Sequence, residues 1–331
     1  MNKKTKTAAI CAISAVLLII SLLCGLAFGS VTISLQRMLD ALAGNDHTAY
    51  VILFQLRLPR VLAAALAGAA LAVAGCLLQT VTDNDLCAPN IIGVNSGAGL
   101  AVMIILCCFP MLWKLQPIAA FIGALCATLL VLSVSYASKN YERKSTVVLA
   151  GAAISALLNA GISFLSIKYP DALTSYAAFS VGGFSGVSAS KLYLPAAMTA
   201  ICIAVAFIIA PKLELLCLGD DAASLLGVSV RAVRITAVIL ASAMCAAAVS
   251  FAGLLGFVGL VVPHIARRIA GPGLRLRIFC SCFFGACLVV FSDLVGRTLF
   301  SPGELPAGII MAFIGAPFFI YLLLRKRKQY D

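Results

Sequence analysis

The fold is decided by residues 58–81, LPRVLAAALAGAALAVAGCLLQTV. This stretch carries a single charged side chain, Arg60, and about 20 apolar residues are enough for a helix to cross a bilayer. Its apolar character is continuous rather than alternating, which favours a membrane helix over a strand of a β-barrel. Its many alanines and its glycines, Gly68 and Gly75, allow helix backbones to approach closely in lipid. The stretch therefore predicts a transmembrane helix packed inside a bundle.

The rest of the chain repeats this composition. Of its 331 residues, 63% are apolar and only 11% are charged, whereas soluble domains carry about 25% charge. We predict an all-α, polytopic membrane protein with a single transmembrane domain over residues 1–331. Its ten predicted spans are 8–29, 58–81, 91–110, 115–136, 146–167, 192–210, 232–253, 255–270, 278–299 and 306–324.

Basic residues indicate the orientation of these spans. With the N-terminus inside, seventeen of the 24 lysines and arginines fall on the inner segments, as the positive-inside rule requires. Without the short eighth span, the arginines of residues 267–277 would lie outside. Ten spans with both termini cytoplasmic are therefore predicted.

Several function classes do not fit the composition. The net charge of +12 comes from residues at helix ends, which suits lipid headgroups better than nucleic acid. Most cysteines lie in apolar runs, no Cys-x-x-Cys spacing recurs, and His47 and His264 are far apart, so neither a disulfide framework nor a metal site is expected. No nucleophile–base set or nucleotide-binding motif is present. We expect neither a resident cofactor nor an enzymatic reaction.

A short acidic segment interrupts the apolar pattern before the seventh span. It reads Leu218-Gly219-Asp220-Asp221-Ala222-Ala223-Ser224-Leu225-Leu226-Gly227, within a loop at about 212–231. Two of only twelve acidic residues lie here, between glycines, on the side predicted to be cytoplasmic. An amphipathic turn in this position suits the binding of a soluble partner.

The predicted outer face carries arginines where few basic residues are expected. Arg57 and Arg60 flank Pro59 at the start of the second span, and they are explained either by lipid phosphate or by the carboxylates of an external protein. Asp293 and Arg297 lie four residues apart in the ninth span, which predicts a structural ion pair. Glu304 suits the N-terminus of the tenth helix.

Six motifs come in the order seen in the FecCD-type permeases, which the chain resembles along nearly its whole length. They are Leu56-Arg57-Leu58-Pro59-Arg60, the segments 75–79, 84–99 and 218–227, the Gly-Phe-x-Gly-Leu-x-x-Pro-His-x-x-Arg run within 256–268, and Glu304-Leu305-Pro306 with Gly315-Ala316-Pro317-Phe318. These permeases are the membrane subunits of ABC importers for iron–siderophores, haem and vitamin B12. The sequence departs from the family pattern at Asn84-Asp85-Leu86-Cys87, at Phe179 and at 271–275.

The resemblance implies the fold of a type II ABC importer permease, paired with a second copy or paralogue in the lipid membrane. It implies two cytoplasmic ATPase subunits and an extracytoplasmic substrate-binding protein as partners. In this chain the ATPase-coupling residues correspond to Leu218, Gly219, Asp220, Asp221, Ala222, Ala223, Leu226 and Gly227. The residues that receive glutamates of the binding protein correspond to Arg57, Arg60 and Arg297.

A ferric siderophore or related iron chelate is the expected cargo, with haem or vitamin B12 as the alternative. An ion-coupled secondary transporter is a further alternative, but it would need titratable or ion-binding groups within the membrane. Asp293 is the one candidate group of this kind.

Overall fold

The computed structural model describes residues 3–29, 34–137, 145–299, 301 and 303–327. Over these residues the chain forms α-helices joined by short 3₁₀ and π turns, with no strand. The helices are α1 (Lys3–Ala27), α2 (Leu35–Leu42), α3 (His47–Tyr50), α4 (Leu58–Thr82), α5 (Val94–Cys108), α6 (Gln116–Ala137), α7 (Ser145–Lys168), α8 (Pro170–Val181), α9 (Tyr193–Leu216), α10 (Asp220–Leu225), α11 (Val230–Ala252), α12 (Val258–Ala270), α13 (Leu274–Thr298) and α14 (Ala307–Arg327). The predicted all-α class is confirmed.

Each of the ten predicted spans falls on one helix. In order they are α1, α4, α5, α6, α7, α9, α11, α12, α13 and α14. Among the described residues, seven helical segments are long and apolar enough to cross a membrane, while α5 and α14 form shorter apolar helices. The eighth predicted span, α12, has only 13 residues. The protein is thus polytopic, and the count of ten crossings stays a prediction, as does the side on which the basic segments lie. Of those segments' basic residues, Lys139, Arg143, Lys144 and Lys328 lie outside the described residues.

The two long polar interruptions contain helices that the apolar pattern did not predict. The interruption at 30–57 holds α2, α3 and a π-helical turn, Val51–Arg57, that runs directly into α4. The interruption at 168–191 holds α8, none of whose residues is buried. These segments are too short or too polar to resemble a span, so their helical structure was missed.

Helix α4 is the centre of the bundle. In its most apolar window 83% of the residues are buried, against 11% for α1, which lies at the periphery. It packs against α11, α12 and α13. A Cβ added at Gly68 would overlap the carbonyl of Gly285 in α13, and one at Gly75 would overlap Gly259 in α12. Close backbone packing at these glycines is what the small residues of 58–81 predicted.

Helix α13 runs from one end of the bundle to the other. Its 25 residues correspond to a length of about 37 Å. At its start, the backbone N–H of Leu274 donates to the carboxylate of Glu214, in the last turn of α9. At its other end lies Arg297. The loop that follows α9 and the side chain of Arg297 are therefore at opposite ends of the bundle.

Candidate functional sites at the two ends of the bundle

A pocket of about 390 Å³ brings together Arg57, Arg60 and Arg297. We call it the arginine pocket. The π-helical turn supplies Arg57, the first turn of α4 supplies Arg60, and the last turn of α13 supplies Arg297. The remaining lining residues are Gly29, Ile52, Gln55, Leu56, Phe184, Ser185, Gly186, Val187, Ser188 and Glu304. The three arginines that the sequence singled out thus share one cavity, although 240 positions separate the first from the last.

Two of these arginines donate hydrogen bonds to the last backbone carbonyls of helix α1. Nη1 of Arg57 donates to the carbonyl oxygens of Leu26 and Ala27, at 2.8 Å each. Nη2 of Arg297 donates to the carbonyl of Gly25 at 3.0 Å. The last carbonyls of a helix have no partner within it and carry a partial negative charge, so guanidinium groups stabilise them. Arg57 and Arg297 are accordingly buried, a structural role that the sequence did not predict.

The buried carboxylate of Asp293 contacts both Arg60 and Arg297. Asp293 is 1% exposed, and it accepts from Nε and Nη2 of Arg60 at 2.9–3.1 Å. Nε of Arg297 forms an ion pair with it at 3.1 Å, although this N–H is not directed well enough to count as a hydrogen bond. The predicted Asp293–Arg297 pair is therefore confirmed, and Arg60 completes it. A carboxylate so deeply buried needs such partners to remain charged.

A second carboxylate lies at the mouth of the same network. Oε2 of Glu304 accepts from Nη1 of Arg60 at 2.7 Å and from the hydroxyl of Ser185 at 3.3 Å. Its place before α14 agrees with the predicted position at a helix N-terminus, while its bond to Arg60 was not foreseen. Across these five ionisable side chains, three guanidinium groups face two carboxylates. The net positive charge suits one further anionic group in the pocket.

The 218–227 loop lies at the opposite end. Gly219 and Gly227 have φ angles of 107° and 79°, which permit the turns that isolate helix α10. Both carboxylate oxygens of Asp220 lie 3.0 Å from Nη2 of Arg234, a buried side chain in the first turn and a half of α11. Ala223 is fully buried. Asp220 and Ala223 thus hold the loop against the bundle, a positional role that the sequence did not predict, and the contact of this loop with a partner stays a prediction.

The solvent-exposed surface of this loop is mainly apolar. Leu218, Leu225 and Leu226 are 65%, 88% and 59% exposed, and Asp221 is exposed beside them. Leu225 was not among the predicted coupling residues, and only its exposure in the folded loop identifies it. An exposed leucine cluster with one free-standing acidic side chain is a surface suited to a soluble protein partner.

A polar cavity of about 400 Å³ lies at the end of α4 opposite the arginine pocket. Asp85 pairs there with Arg267 of α12, and Nη2 of Arg277 donates to the hydroxyl of Thr80 at 2.8 Å. His264, in the same helix as Arg267, packs edge-on against Phe318. These contacts connect the turn after α4 to α12, the last turn of α4 to α13, and α12 to α14.

Comparison with known proteins places this geometry in a family. The sequence matches the FecCD transport family over residues 17–325. It is 36% identical over 319 residues to the Fe(3+)-citrate import system permease protein YfmE of Bacillus subtilis (strain 168), covering 96% of this chain and 95% of that protein. It is 37% identical over 291 residues to the Fe(3+) dicitrate transport system permease protein FecD of Escherichia coli (strain K12), covering 87% and 89%.

The hemin transport system permease protein HmuU of Yersinia pestis is 33% identical over 324 residues, with 95% of each chain covered. Among solved structures, a metal-chelate type ABC transporter in an inward-facing conformation superimposes with a TM-score of 0.86 at 28% identity, covering 96% of this chain and 99% of that one. The family match thus extends through both candidate sites and from the middle of the first predicted span to the end of the tenth, and this polytopic membrane protein belongs to the FecCD transport family.

Proposed function

We propose that the chain is the permease subunit of an ABC importer in the cytoplasmic membrane, and that it carries a ferric siderophore or a related iron chelate. The observation that carries the proposal is the family match along residues 17–325, which includes both ends of the bundle. Permeases for ferric citrate in two bacteria are among the similar proteins. A haemin permease is similar over the same length, so haem is the second candidate cargo, and vitamin B12 stays a third.

In this proposal the 218–227 loop contacts a cytoplasmic ATPase. Leu218, Leu225 and Leu226 supply the apolar contact surface, Asp221 supplies a charge beside it, and Asp220 holds the loop in place through Arg234. The arrangement has two permease chains, identical or paralogous, above two ATPase subunits, with both termini of each permease in the cytoplasm. A partner can drive transport only if it binds one conformation of the permease more tightly than the other.

The arginine pocket then faces outward and receives a carboxylate of the substrate-binding protein. The net positive charge of its ionisable groups supports this role, as does its position about a helix length from the loop. Because Arg57, Arg60 and Arg297 also hold internal contacts, replacing any of them would disturb the fold along with docking. Gln55 offers a cleaner test because it is exposed and lines the pocket.

Uptake measurements test the cargo and the energy source. Cells that lack other iron and cobalamin uptake would express the chain with its own ATPase and binding protein, and would be offered ferric citrate, a ferric hydroxamate, haemin and cobalamin. We expect ATP-dependent uptake of a ferric chelate, and loss of uptake when the ATPase is inactivated. Uptake of cobalamin alone would reject the iron chelate. Uptake in vesicles driven by an ion gradient without ATP would instead identify a secondary transporter, which the paired state of Asp293 disfavours.

Docking is tested with matched variants of Gln55 in the assembled transporter. Gln55→Glu should weaken binding of the substrate-binding protein and Gln55→Lys should strengthen it, because the rim of the pocket gains a negative charge in the first variant and a positive charge in the second. Both effects should shrink at high salt. If both variants bind the partner as the unmodified protein does at low ionic strength, the pocket is not the docking site.

A further inference from the structure

The two carboxylates that contact the arginines of the pocket are held very differently. Asp293 is 1% exposed and contacts both Arg60 and Arg297. Glu304 has 29% of its side chain exposed and reaches Arg60 through one oxygen, Oε2, which also accepts the bond from Ser185. Partly exposed ion pairs contribute about 0–1 kcal/mol, so the contact of Glu304 costs little to break, whereas that of Asp293 is costly.

Arg60 offers separate donors to the two carboxylates. Nε and Nη2 are bonded to Asp293, while Nη1 is bonded to Glu304 on the side of the pocket. A guanidinium group can keep one bidentate partner and exchange another, because its donors form a rigid fork. Nη1 of Arg60 is therefore the position at which an incoming carboxylate can replace an internal one without moving the arginine.

Glu304 is also tied to the elements that surround the start of α14. The N–H of Leu305 donates to the carbonyl of Gly296 in α13 at 2.9 Å, and the N–H of Gly308 donates to the carbonyl of Gly182 at 3.1 Å. Ser185, which also donates to Glu304, belongs to the same segment that follows α8. The contact from Glu304 to Arg60 consequently links α4 to α14 and to the 182–188 segment.

We propose that Glu304 is an exchangeable internal carboxylate, which occupies Nη1 of Arg60 in the undocked permease and is displaced by a carboxylate of the docked binding protein. This rests on the proposed docking at the arginine pocket. Displacement breaks the link between α4 and the start of α14, so docking would act directly on the position of α14. The internal carboxylate also keeps the pocket from binding other anionic groups while the partner is absent.

The test measures affinity of the substrate-binding protein for the assembled transporter in lipid nanodiscs without nucleotide. Glu304→Gln removes the competing charge and should tighten binding about three- to fivefold, as expected when one partly exposed ion pair no longer has to be broken. Asp171→Asn is the matched control, because Asp171 is an exposed carboxylate that does not line the pocket, and it should leave affinity unchanged.

Ser185→Ala keeps the charge of Glu304 and removes only the hydrogen bond from Ser185, so it should tighten binding by a smaller factor in the same direction. This variant keeps the proposal testable even if Glu304→Gln assembles poorly. Unchanged or weaker binding in both variants would overturn the exchange. The Gln55 variants separate this result from failure of docking itself. If they respond as predicted while Glu304→Gln and Ser185→Ala do not tighten binding, the pocket docks the partner but Glu304 is only structural. If the Gln55 variants do not respond, the docking proposal fails first.

Discussion

Removal of the charge at Asp293 should destabilise the protein more than removal of any exposed carboxylate. Asp293→Asn keeps the shape of the side chain but leaves Arg60 and Arg297 without the carboxylate that they share. Breaking a buried ion pair by neutralising one partner costs about 3–5 kcal/mol. We expect the lower end, about 3 kcal/mol, because Glu304 still pairs with Arg60 and because the guanidinium of Arg297 keeps its bond to Gly25.

Equilibrium unfolding in mixed micelles measures this loss of stability. Asp171→Asn serves as the control, since that carboxylate is exposed, and it should change the free energy of unfolding by less than about 0.5 kcal/mol. Adding Arg297→Met to Asp293→Asn should cost less than the sum of the single changes, because the second substitution removes a buried charge that the first left unpaired. A loss below about 1 kcal/mol for Asp293→Asn would refute the view that this network is buried and coupled.

Three further changes probe the loop, the bundle and the helix cap. Leu225→Asp should reduce the amount of ATPase that co-purifies with the permease, because Leu225 is the most exposed apolar side chain of the loop. Asp221→Asn should have a smaller effect. Equal retention of the ATPase by both variants would contradict this. Gly68→Ala should destabilise the protein by about 1–3 kcal/mol through overlap with α13. Gly256→Ala should leave stability unchanged, because the added Cβ meets no atom within 4 Å. Thermal unfolding in detergent compares the two variants. Arg57→Gln should speed hydrogen exchange at the C-terminal end of α1, because the carbonyls of Leu26 and Ala27 lose a charged donor. Unchanged protection there would reject the capping role of Arg57.

The spans were predictable because membrane helices are determined by local composition. A run such as 58–81 must satisfy its backbone hydrogen bonds internally, so its helical state follows from its own residues. The predicted limits of the spans agree with the helices to within about six residues. The helices α2, α3 and α8 were not predicted, since they lie in polar interruptions and are too short or too polar to resemble a span.

The candidate sites were only partly predictable, because local composition does not determine which distant residues meet in the folded bundle. The sequence singled out Arg57, Arg60 and Arg297 and paired Asp293 with Arg297, which are four residues apart on one helix. It could not pair Arg60 with Asp293 or Glu304, which are 233 and 244 positions away along the chain. The contact of Asp220 with Arg234, fourteen positions later, was likewise not predicted, while its contact with a partner stays a prediction.

The sequence by itself determined that this protein is an all-α membrane protein, where its long apolar helices lie, and which short motifs mark it as a FecCD-type permease. Those features depend on composition within about 25 residues, the length of one membrane helix. Only the tertiary structure decided that Arg57 and Arg297 cap α1, that Asp293 and Glu304 share Arg60, and that Leu225 is the exposed apex of the loop. These depend on which helix ends meet in the folded bundle, and charges inside a low-dielectric interior select their partners by proximity in space, not along the chain.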